Sequence, residues 1–179
     1  MQSRKSGEQK TAFVTGATGL LGNNLVRVLL AKGYRVKGLA RSREKAAKQF
    51  PMLDVEIVEG DMTNVSVFEH ALEGVDELYH TAAHFRDSYK GGNHEQKLTQ
   101  INVVGTRSLL SAAYDRGIRR VIHTSSSAVL KGKPGRMTDE TMSREEKDAD
   151  DYYRSKIQSE KVVSGVIDPE LIAEYNQIV

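Results

Sequence analysis

Residues Thr11–Gly22 read TAFVTGATGLLG, an apolar, β-branched run that passes directly into a turn with three evenly spaced glycines. A buried strand, a glycine-rich turn and a helix in this order are typical of the first unit of a parallel α/β sheet. The helical pattern extends from Leu20 to Lys32, and Gly33 is a stop signal. The apolar residues at helical spacing are Leu21, Leu25, Val28 and Leu29.

The rest of the chain repeats this alternation of strand and helix. Because each crossover must return the chain to the same end of the sheet, the alternation predicts a doubly wound parallel sheet with helices on both faces. Ligands of such a sheet bind where the strands end. The predicted strands are Thr11–Thr15, Arg35–Ala40, Val55–Glu59, Glu77–Thr81 and Arg120–Thr124, and the predicted helices span residues 20–32, 41–48, 65–72, 94–116 and the segment from about Asp150.

Composition excludes several classes of protein. The 179 residues fit one domain, and 39% hydrophobic with 28% charged residues indicate a soluble globular chain. A net charge of +2 gives no reason to expect nucleic acid or a membrane as partner, and the absence of cysteine excludes disulfides and thiolate sites. The five histidines form no H-x-x-x-H pair, so no metal site is predicted. We expect a cytoplasmic protein whose polar residues 1–10 form a flexible arm rather than a signal peptide.

The glycine turn is the first candidate binding site. Backbone N–H groups in the turn and at the helix start would attract an anion, and glycine lets a pyrophosphate approach the main chain closely. A tight turn without a ligand is the alternative, but the position between strand and helix favours dinucleotide binding. The predicted cofactor-binding residues here are Gly16, Thr18, Gly19, Leu20, Leu21 and Gly22.

The ends of the next three strands complete this candidate site. Arg41 and Arg43 follow the second strand, where an acidic residue would favour NAD, and a guanidinium suits the 2′-phosphate of NADP. The alternative is that both arginines are solvated at a helix start. Asp61 and Met62 follow the third strand, where a carboxylate would accept from the adenine amino group or cap the next helix. After the fourth strand, the small residues Ala82 and Ala83 would let the backbone approach the cofactor, or simply pack in a loop.

A tyrosine and a lysine form the candidate catalytic pair. Tyr152 and Lys156 are four residues apart in a helical segment, so both project from one face. An ammonium near a phenol favours phenolate, which lets the phenol exchange a proton with an alcohol or carbonyl. The serines at 125–127 follow the fifth strand, where a hydroxyl can donate to a developing oxyanion. A solvated helix face is the alternative for Tyr152 and Lys156.

Together these motifs resemble the extended short-chain dehydrogenase/reductase family of the NAD-dependent epimerase/dehydratase superfamily, and within it the dihydroflavonol-reductase-like NADP-dependent carbonyl reductases. The likeness runs from Thr11 to about Lys161 and implies a Rossmann-type fold. The motifs that carry it are TGATGLLG (Thr15–Gly22), Arg41, GDM (Gly60–Met62), HTAAHFRDSYKGG (His80–Gly92), INVVGT (Ile101–Thr106), HTSSSAVL (His123–Leu130) and DDYYRSK (Asp150–Lys156).

The resemblance implies a role for each catalytic candidate. Tyr152 would be the general acid and a cofactor-binding residue, Lys156 would bind the nicotinamide ribose and support Tyr152, and Ser126 matches the position that binds the substrate carbonyl. Asn102 matches an asparagine that supports the active site, with a helix cap as the alternative. The expected function is reduction of a small aldehyde or ketone with NADP(H), NAD being the alternative cofactor. Two other readings are a nucleotide-sugar epimerase or dehydratase, which Arg41 opposes, and a non-catalytic NADP-binding sensor or interaction module.

The resemblance ends after the tyrosine–lysine helix. Members of the family continue into a sixth strand and a substrate lobe, whereas here Gly165 is expected to interrupt the helix and a short helix is expected over Leu171–Val179. The predicted organisation is an arm over 1–10, a dinucleotide-binding domain over 11–165 and a helical tail over 166–179. Either the fold is truncated after the tyrosine–lysine helix, or this tail stands in place of the lobe. An unpaired fifth strand would invite self-association, so we expect a homo-oligomer.

Overall fold

The computed structural model describes residues 9–85 and 94–166. Within these ranges the chain forms five strands and five α-helices, together with short 3₁₀ turns and one π-helical segment. Only 3₁₀ turns separate the third strand from the fourth, and two of the α-helices lie between the fourth strand and the fifth. The strands are β1 (Thr11–Thr15), β2 (Arg35–Ala40), β3 (Val55–Glu59), β4 (Glu77–His80) and β5 (Arg120–His123). The α-helices are α1 (Leu20–Ala31), α2 (Arg43–Gln49), α3 (Glu95–Leu98), α4 (Thr106–Asp115) and α5 (Asp151–Val166), and the π-helical segment is Thr99–Gly105.

The five strands form one sheet in the order β3-β2-β1-β4-β5, and every pair of neighbours is parallel. Thr11 of β1 pairs with Arg35, and Thr15 pairs with His80. Because β2 and β4 flank β1, the strand order reverses direction beside β1, which is the topological switch point of a doubly wound sheet. The prediction of a Rossmann-type parallel α/β fold is therefore confirmed.

The chain divides into two compact units. The first contains the described residues up to Ala82 together with Ala112–His123, and the second contains the described residues of 83–111 and 124–166. In the first unit, the central strand β1 is buried on both faces: Ala12 and Val14 pack with helices α1 and α2, and Phe13 stacks on Phe68 with ring centroids 6.1 Å apart. The whole sheet lies in this unit.

The second unit is built around helix α5. Tyr152 of α5 forms an apolar cluster with Leu98 of α3 and Ala128, and Ile157 forms another with Val129 and Ala149. The three serines after β5, Ser125–Ser127, and the π-helical segment also belong to this unit. It therefore holds all four predicted catalytic residues, whereas the predicted phosphate turn lies in the first unit.

Several predicted boundaries need correction. Residues 65–72 form two 3₁₀ turns, Val65–Val67 and Glu69–Leu72, rather than one helix. The helix predicted over 94–116 contains the π-helical segment Thr99–Gly105, and α5 continues through Gly165 to Val166, so the interruption expected there is wrong. The predicted tail helix and residues 1–8 of the predicted arm lie outside the described residues. Within the described ranges, no helix combines the length and apolarity that crossing a membrane requires.

Candidate active site

The turn after β1 brings two strand ends into close contact. Gly16 has a φ of +66°, and a Cβ at this position would lie 2.9 Å from both the Cα and the amide nitrogen of Ala82. The Thr81 hydroxyl donates to the Thr15 carbonyl at 2.6 Å, and the Thr15 hydroxyl lies 2.7 Å from Nδ1 of His80. Only glycine satisfies both the backbone angle and the space at Gly16, because an L side chain would be strained there and would collide with the backbone.

The same turn opens helix α1 in a form suited to an anion. Gly19 precedes the helix with an extended backbone, and a Cβ on Gly22 would lie 2.2 Å from the Gly16 carbonyl oxygen. The first amides of a helix have no intrahelical acceptor, and the first turn of α1 contains no acidic side chain. Leu20 is 89% exposed, so the helix start is open to a ligand. Amides directed at an open cradle of this kind fit a pyrophosphate.

The residues predicted to contact the adenosine end lie directly after β2 and β3. Arg41 is exposed, and the hydroxyl of the next residue, Ser42, caps helix α2 by accepting from the Lys45 amide. The Asp61 carboxylate accepts from the Thr63 amide at 2.9 Å. The residue before the following 3₁₀ turn is Asn64, so the alternative interpretation of Asp61 as a helix cap is wrong. Of the other predicted residues, Met62 is buried, Thr18 and Ala82 are half-buried, and Ala83 is exposed.

In the second unit, helix α5 carries the tyrosine and the lysine. The Asp150 carboxylate accepts from the Tyr153 amide at 2.9 Å, which fixes the start of the helix. Tyr152 is only 9% exposed, and its ring meets Phe85 edge-on at a centroid distance of 5.0 Å. The interpretation of this helix face as a solvated surface is therefore wrong for Tyr152.

Lys156, one turn further along α5, is also buried, with 3% exposure. Its ammonium donates to the main-chain carbonyl of Thr124 at 2.9 Å. Burial lowers the pKa of Lys156 to about 8, against the opposing field of Glu160, because removal from water disfavours the charged form. A lysine amine with this pKa is mostly protonated at neutral pH and loses its proton in the mildly alkaline range.

Asn102 joins three segments of the second unit. It is 2% exposed and lies inside the π-helical segment, so the alternative of a helix cap is wrong. Its Oδ1 accepts from the His84 amide at 2.7 Å, and its Nδ2 donates to the His84 carbonyl at 3.1 Å and to the Ser155 hydroxyl at 3.0 Å. Ser155 in turn donates to the Tyr152 carbonyl at 2.7 Å. Asn102 thus connects the segment after β4 to the helix turn that carries Tyr152.

The serines after β5 have three different environments. Ser126 is half-buried, and its hydroxyl oxygen accepts from the Ala128 amide at 3.2 Å at the start of a 3₁₀ turn. Since a hydroxyl can accept and donate at the same time, the Ser126 hydroxyl can still donate a hydrogen bond. Ser125 and Ser127 are exposed, and the Ser125 hydroxyl donates to the Glu160 carboxylate.

Comparison with known proteins identifies the family. Residues 12–168 match the NAD dependent epimerase/dehydratase family. The chain belongs to this family. The match covers both the glycine turn and the tyrosine–lysine helix, so the predicted resemblance is confirmed.

Relatives within the family include dehydrogenases and reductases. The chain is 44% identical over 152 residues to sterol demethylase protein B of Methylococcus capsulatus, covering 84% of this chain and 45% of that protein. It is 36% identical over 151 residues to a Synechocystis protein named provisionally as a dihydroflavonol 4-reductase, covering 83% of this chain and 43% of that one. The crystal structure of gox2253 matches with a TM-score of 0.79 and 32% identity, over 91% of this chain and 49% of that one. The chain thus spans a little under half the length of these relatives.

Two residues that are hydrogen-bonded to members of the candidate site are not indicated by its motifs in the sequence. Ser155 was treated only as part of the tyrosine–lysine motif, although it links Asn102 to Tyr152. Glu160 was not considered, although its carboxylate is held by Ser125. The spacing of Glu160 was the signal in the sequence that could have indicated its place beside Lys156. Glu160 follows Lys156 by four residues, as Lys156 follows Tyr152, and this spacing puts all three on one side of a helix.

Proposed function

We propose that the chain takes part in the NADP-dependent reduction of a small aldehyde or ketone. The observation that carries this proposal is the arrangement in the second unit, where a buried tyrosine and a buried lysine lie one helical turn apart. The helix that bears them is hydrogen-bonded through Ser155 to Asn102. Membership of the epimerase/dehydratase family and the names of its reductase and dehydrogenase relatives support oxidoreductase chemistry.

The glycine turn supports a dinucleotide as cofactor. Main-chain atoms lie so close to Gly16 and Gly22 that neither position has room for a side chain. The start of helix α1 offers amide donors to a pyrophosphate. Asp61 would accept from the adenine amino group, and the Arg41 guanidinium would bind a 2′-phosphate. When bound, a reduced nicotinamide would supply a hydride to the substrate carbonyl carbon.

The proton for this reduction would come from Tyr152. Its Oη donates to the carbonyl oxygen as that oxygen gains negative charge, and the Lys156 ammonium stabilises the phenolate that remains. The Ser126 hydroxyl donates a hydrogen bond to the same oxygen. Asn102 acts at a distance from the reacting atoms, by holding the helix turn that carries Tyr152. Because the pKa of Lys156 is about 8, we expect turnover to decline above that pH.

The test is oxidation of NADPH by the purified chain in the presence of a panel of aldehydes and ketones. Oxidation that depends on the added carbonyl supports the proposal. Binding of NADPH without oxidation by any compound would favour a non-catalytic role. Conversion of a nucleotide sugar without net NADPH consumption would instead indicate an epimerase or dehydratase.

The preference for NADP is tested by removing the guanidinium that would bind the 2′-phosphate. Arg41→Ala is expected to weaken NADPH binding about tenfold and to leave NADH binding unchanged, because only NADPH carries the additional phosphate. Arg35→Ala, at the other end of β2, is the matched control and should change neither affinity. Equal losses for both nucleotides in Arg41→Ala would contradict the NADP assignment.

A further inference from the structure

The side of helix α5 that carries Tyr152 and Lys156 continues to a third polar residue. Glu160 follows Lys156 by four residues, so the three side chains occupy successive turns on one side of the helix. Glu160 is half-buried, and its Oε1 accepts from the Ser125 hydroxyl. The carboxylate is therefore attached to the segment after β5 rather than directed into solvent.

Two consecutive residues of that segment hold the two charges. The Thr124 carbonyl accepts from the Lys156 ammonium, and the neighbouring Ser125 hydroxyl donates to Glu160. In the described part of the chain the two charged groups form no direct ion pair, because each is bonded to its own partner. The field of Glu160 nevertheless reaches Lys156 and raises the pKa that burial lowers.

Other charged groups lie on the elements near α5, and most of them have partners of their own. On α3, Glu95 faces Arg154, with 3.9 Å between the charged atoms, and Lys97 lies on the same short helix. On the 3₁₀ turn over Glu146–Asp148, Glu146 pairs with Lys161, Asp148 with Lys131, and Lys147 with Glu145. The π-helical segment and the 3₁₀ turn after Ser126 contain no charged side chain. Among the residues that the structure describes, Glu160 is thus the charged neighbour whose field acts on Lys156.

We propose that Glu160, oriented by Ser125, is a positioning residue that keeps Lys156 protonated and so sets the alkaline limit of the reaction. The inference rests on the proposed function for its role in catalysis. An ammonium buried without a counter-charge releases its proton more readily. A carboxylate in direct contact would occupy the N–H groups of Lys156, whereas one oriented by its bond to Ser125 stabilises the charge and leaves those groups available to a ribose hydroxyl.

The direct test is an NMR titration of the Lys156 side-chain nitrogen in the full chain, with its signal identified by its loss in Lys156→Met. Glu160→Gln keeps an acceptor for Ser125 but removes the charge, and it should lower the titration midpoint of Lys156 by about one pH unit. Ser125→Ala should shift the midpoint in the same direction by less. Glu95→Gln removes a carboxylate that faces Arg154 and should leave the midpoint unchanged.

A parallel measurement follows the pH dependence of kcat/KM for carbonyl reduction in the same variants. The alkaline limit should fall with the Lys156 midpoint in Glu160→Gln and stay in place in Glu95→Gln. An unchanged midpoint in Glu160→Gln overturns the coupling, and a lowered midpoint with an unchanged alkaline limit overturns its role in the reaction. If the wild-type chain oxidises no NADPH, the proposed function fails, while the titration still decides whether Glu160 controls the charge of Lys156.

Discussion

The turn after β1 and the polar residues around α5 are built by different means. The turn is local: three glycines within seven residues create a backbone shape in which added Cβ atoms at Gly16 and Gly22 would collide with main-chain atoms. The polar set is long-range, since the hydrogen bond from Asn102 to Ser155 joins residues 53 positions apart. The turn offers amides to any suitable anion, and the polar set fixes the positions of the individual side chains to which we assign the proposed reaction.

This difference implies that binding and chemistry can be separated by substitution. A substitution in the turn changes the space available to a ligand. A substitution near α5 instead removes the proposed proton donor or a residue that holds it in place. Four substitutions test this separation, and their expected effects on function range from about a thousandfold to less than twofold.

The largest effect is expected for Tyr152→Phe. Loss of the phenolic proton should lower kcat by about a thousandfold, as is typical when a general acid is removed. The affinity for NADPH should change by less than about threefold, since the ring and its packing against Phe85 are kept. Stopped-flow oxidation of NADPH and fluorescence titration measure the two quantities.

The neighbouring Tyr153→Phe is the matched control for that variant. Tyr153 is half-buried and packs against the Arg144 guanidinium, so its hydroxyl has no place in the proposed proton transfer. If Tyr152→Phe turned over as fast as Tyr153→Phe, the proton delivered to the substrate would have a source other than Tyr152.

Gly22→Ala should weaken NADPH binding by about a hundredfold, equivalent to about 2.7 kcal/mol. The added methyl would lie 2.2 Å from the Gly16 carbonyl oxygen, so the turn must open before α1 can pack. Gly165→Ala adds the same methyl on α5, where nothing lies within 4 Å, and should leave binding intact. Isothermal titration calorimetry gives both affinities, and circular dichroism checks that each variant is folded.

Ser155→Ala should have a smaller and mixed effect. It leaves the Asn102 amide and the Tyr152 carbonyl each without one hydrogen bond, which should lower the free energy of unfolding by about 1–2 kcal/mol. We expect kcat to fall about tenfold, because the turn that carries Tyr152 is less firmly placed. NADPH affinity should stay the same, and Ser164→Ala, an exposed serine on the same helix, should change none of these values. Urea unfolding and steady-state kinetics make the comparison.

The smallest effect on function is expected at Glu77, at the opposite end of β4 from the glycine turn. Its buried carboxylate accepts from the Tyr79 hydroxyl at 2.7 Å and from the Lys10 ammonium at 3.0 Å. Burial alone raises the pKa of Glu77, but these hydrogen bonds lower it below the usual 4.5. A lowered pKa in the folded state stabilises the fold above the unfolded-state pKa, and this stabilisation is lost as pH falls through the folded-state value.

Glu77→Gln should therefore flatten the acid limb of the stability curve. We expect a loss of about 1 kcal/mol at neutral pH, with NADPH binding and turnover within twofold of the wild type. Denaturant unfolding over a range of acidic pH values measures the effect, and the exposed Glu73→Gln is the control. A steeper loss of stability on acidification in Glu77→Gln than in the wild type would reverse the sign of the argument.

The strands were predictable because their signals are local. All five occur where an apolar run ends at glycine or polar residues, and β4 and β5 are each one residue shorter than predicted. The buried face of α1 was less predictable: Leu29 is buried, but Leu21 and Val28 are about half exposed, and Val26 is fully buried. Helical spacing alone does not say which of several apolar stripes meets the sheet. Gly22, where a Cβ would lie 2.2 Å from the Gly16 carbonyl oxygen, is buried on this helix together with Val26 and Leu29.

The site shows the same division between local and distant signals. The glycine turn and the Tyr152–Lys156 pair follow from spacing within a few residues, and the sequence places them correctly on a helix start and a helix face. The bonds of Asn102 to His84 and Ser155 depend on how the second unit packs, which no local pattern encodes. For the same reason, the attachment of Glu160 to Ser125 was visible only in the structure.

The most direct measurement is a single NADPH titration run on the wild-type chain, Tyr152→Phe and Gly22→Ala under identical conditions. The account predicts saturable binding to the first two with similar affinity and a loss of about a hundredfold for the third. No binding by the wild type, or equal binding by Gly22→Ala, would contradict the assignment of the glycine turn as the cofactor cradle.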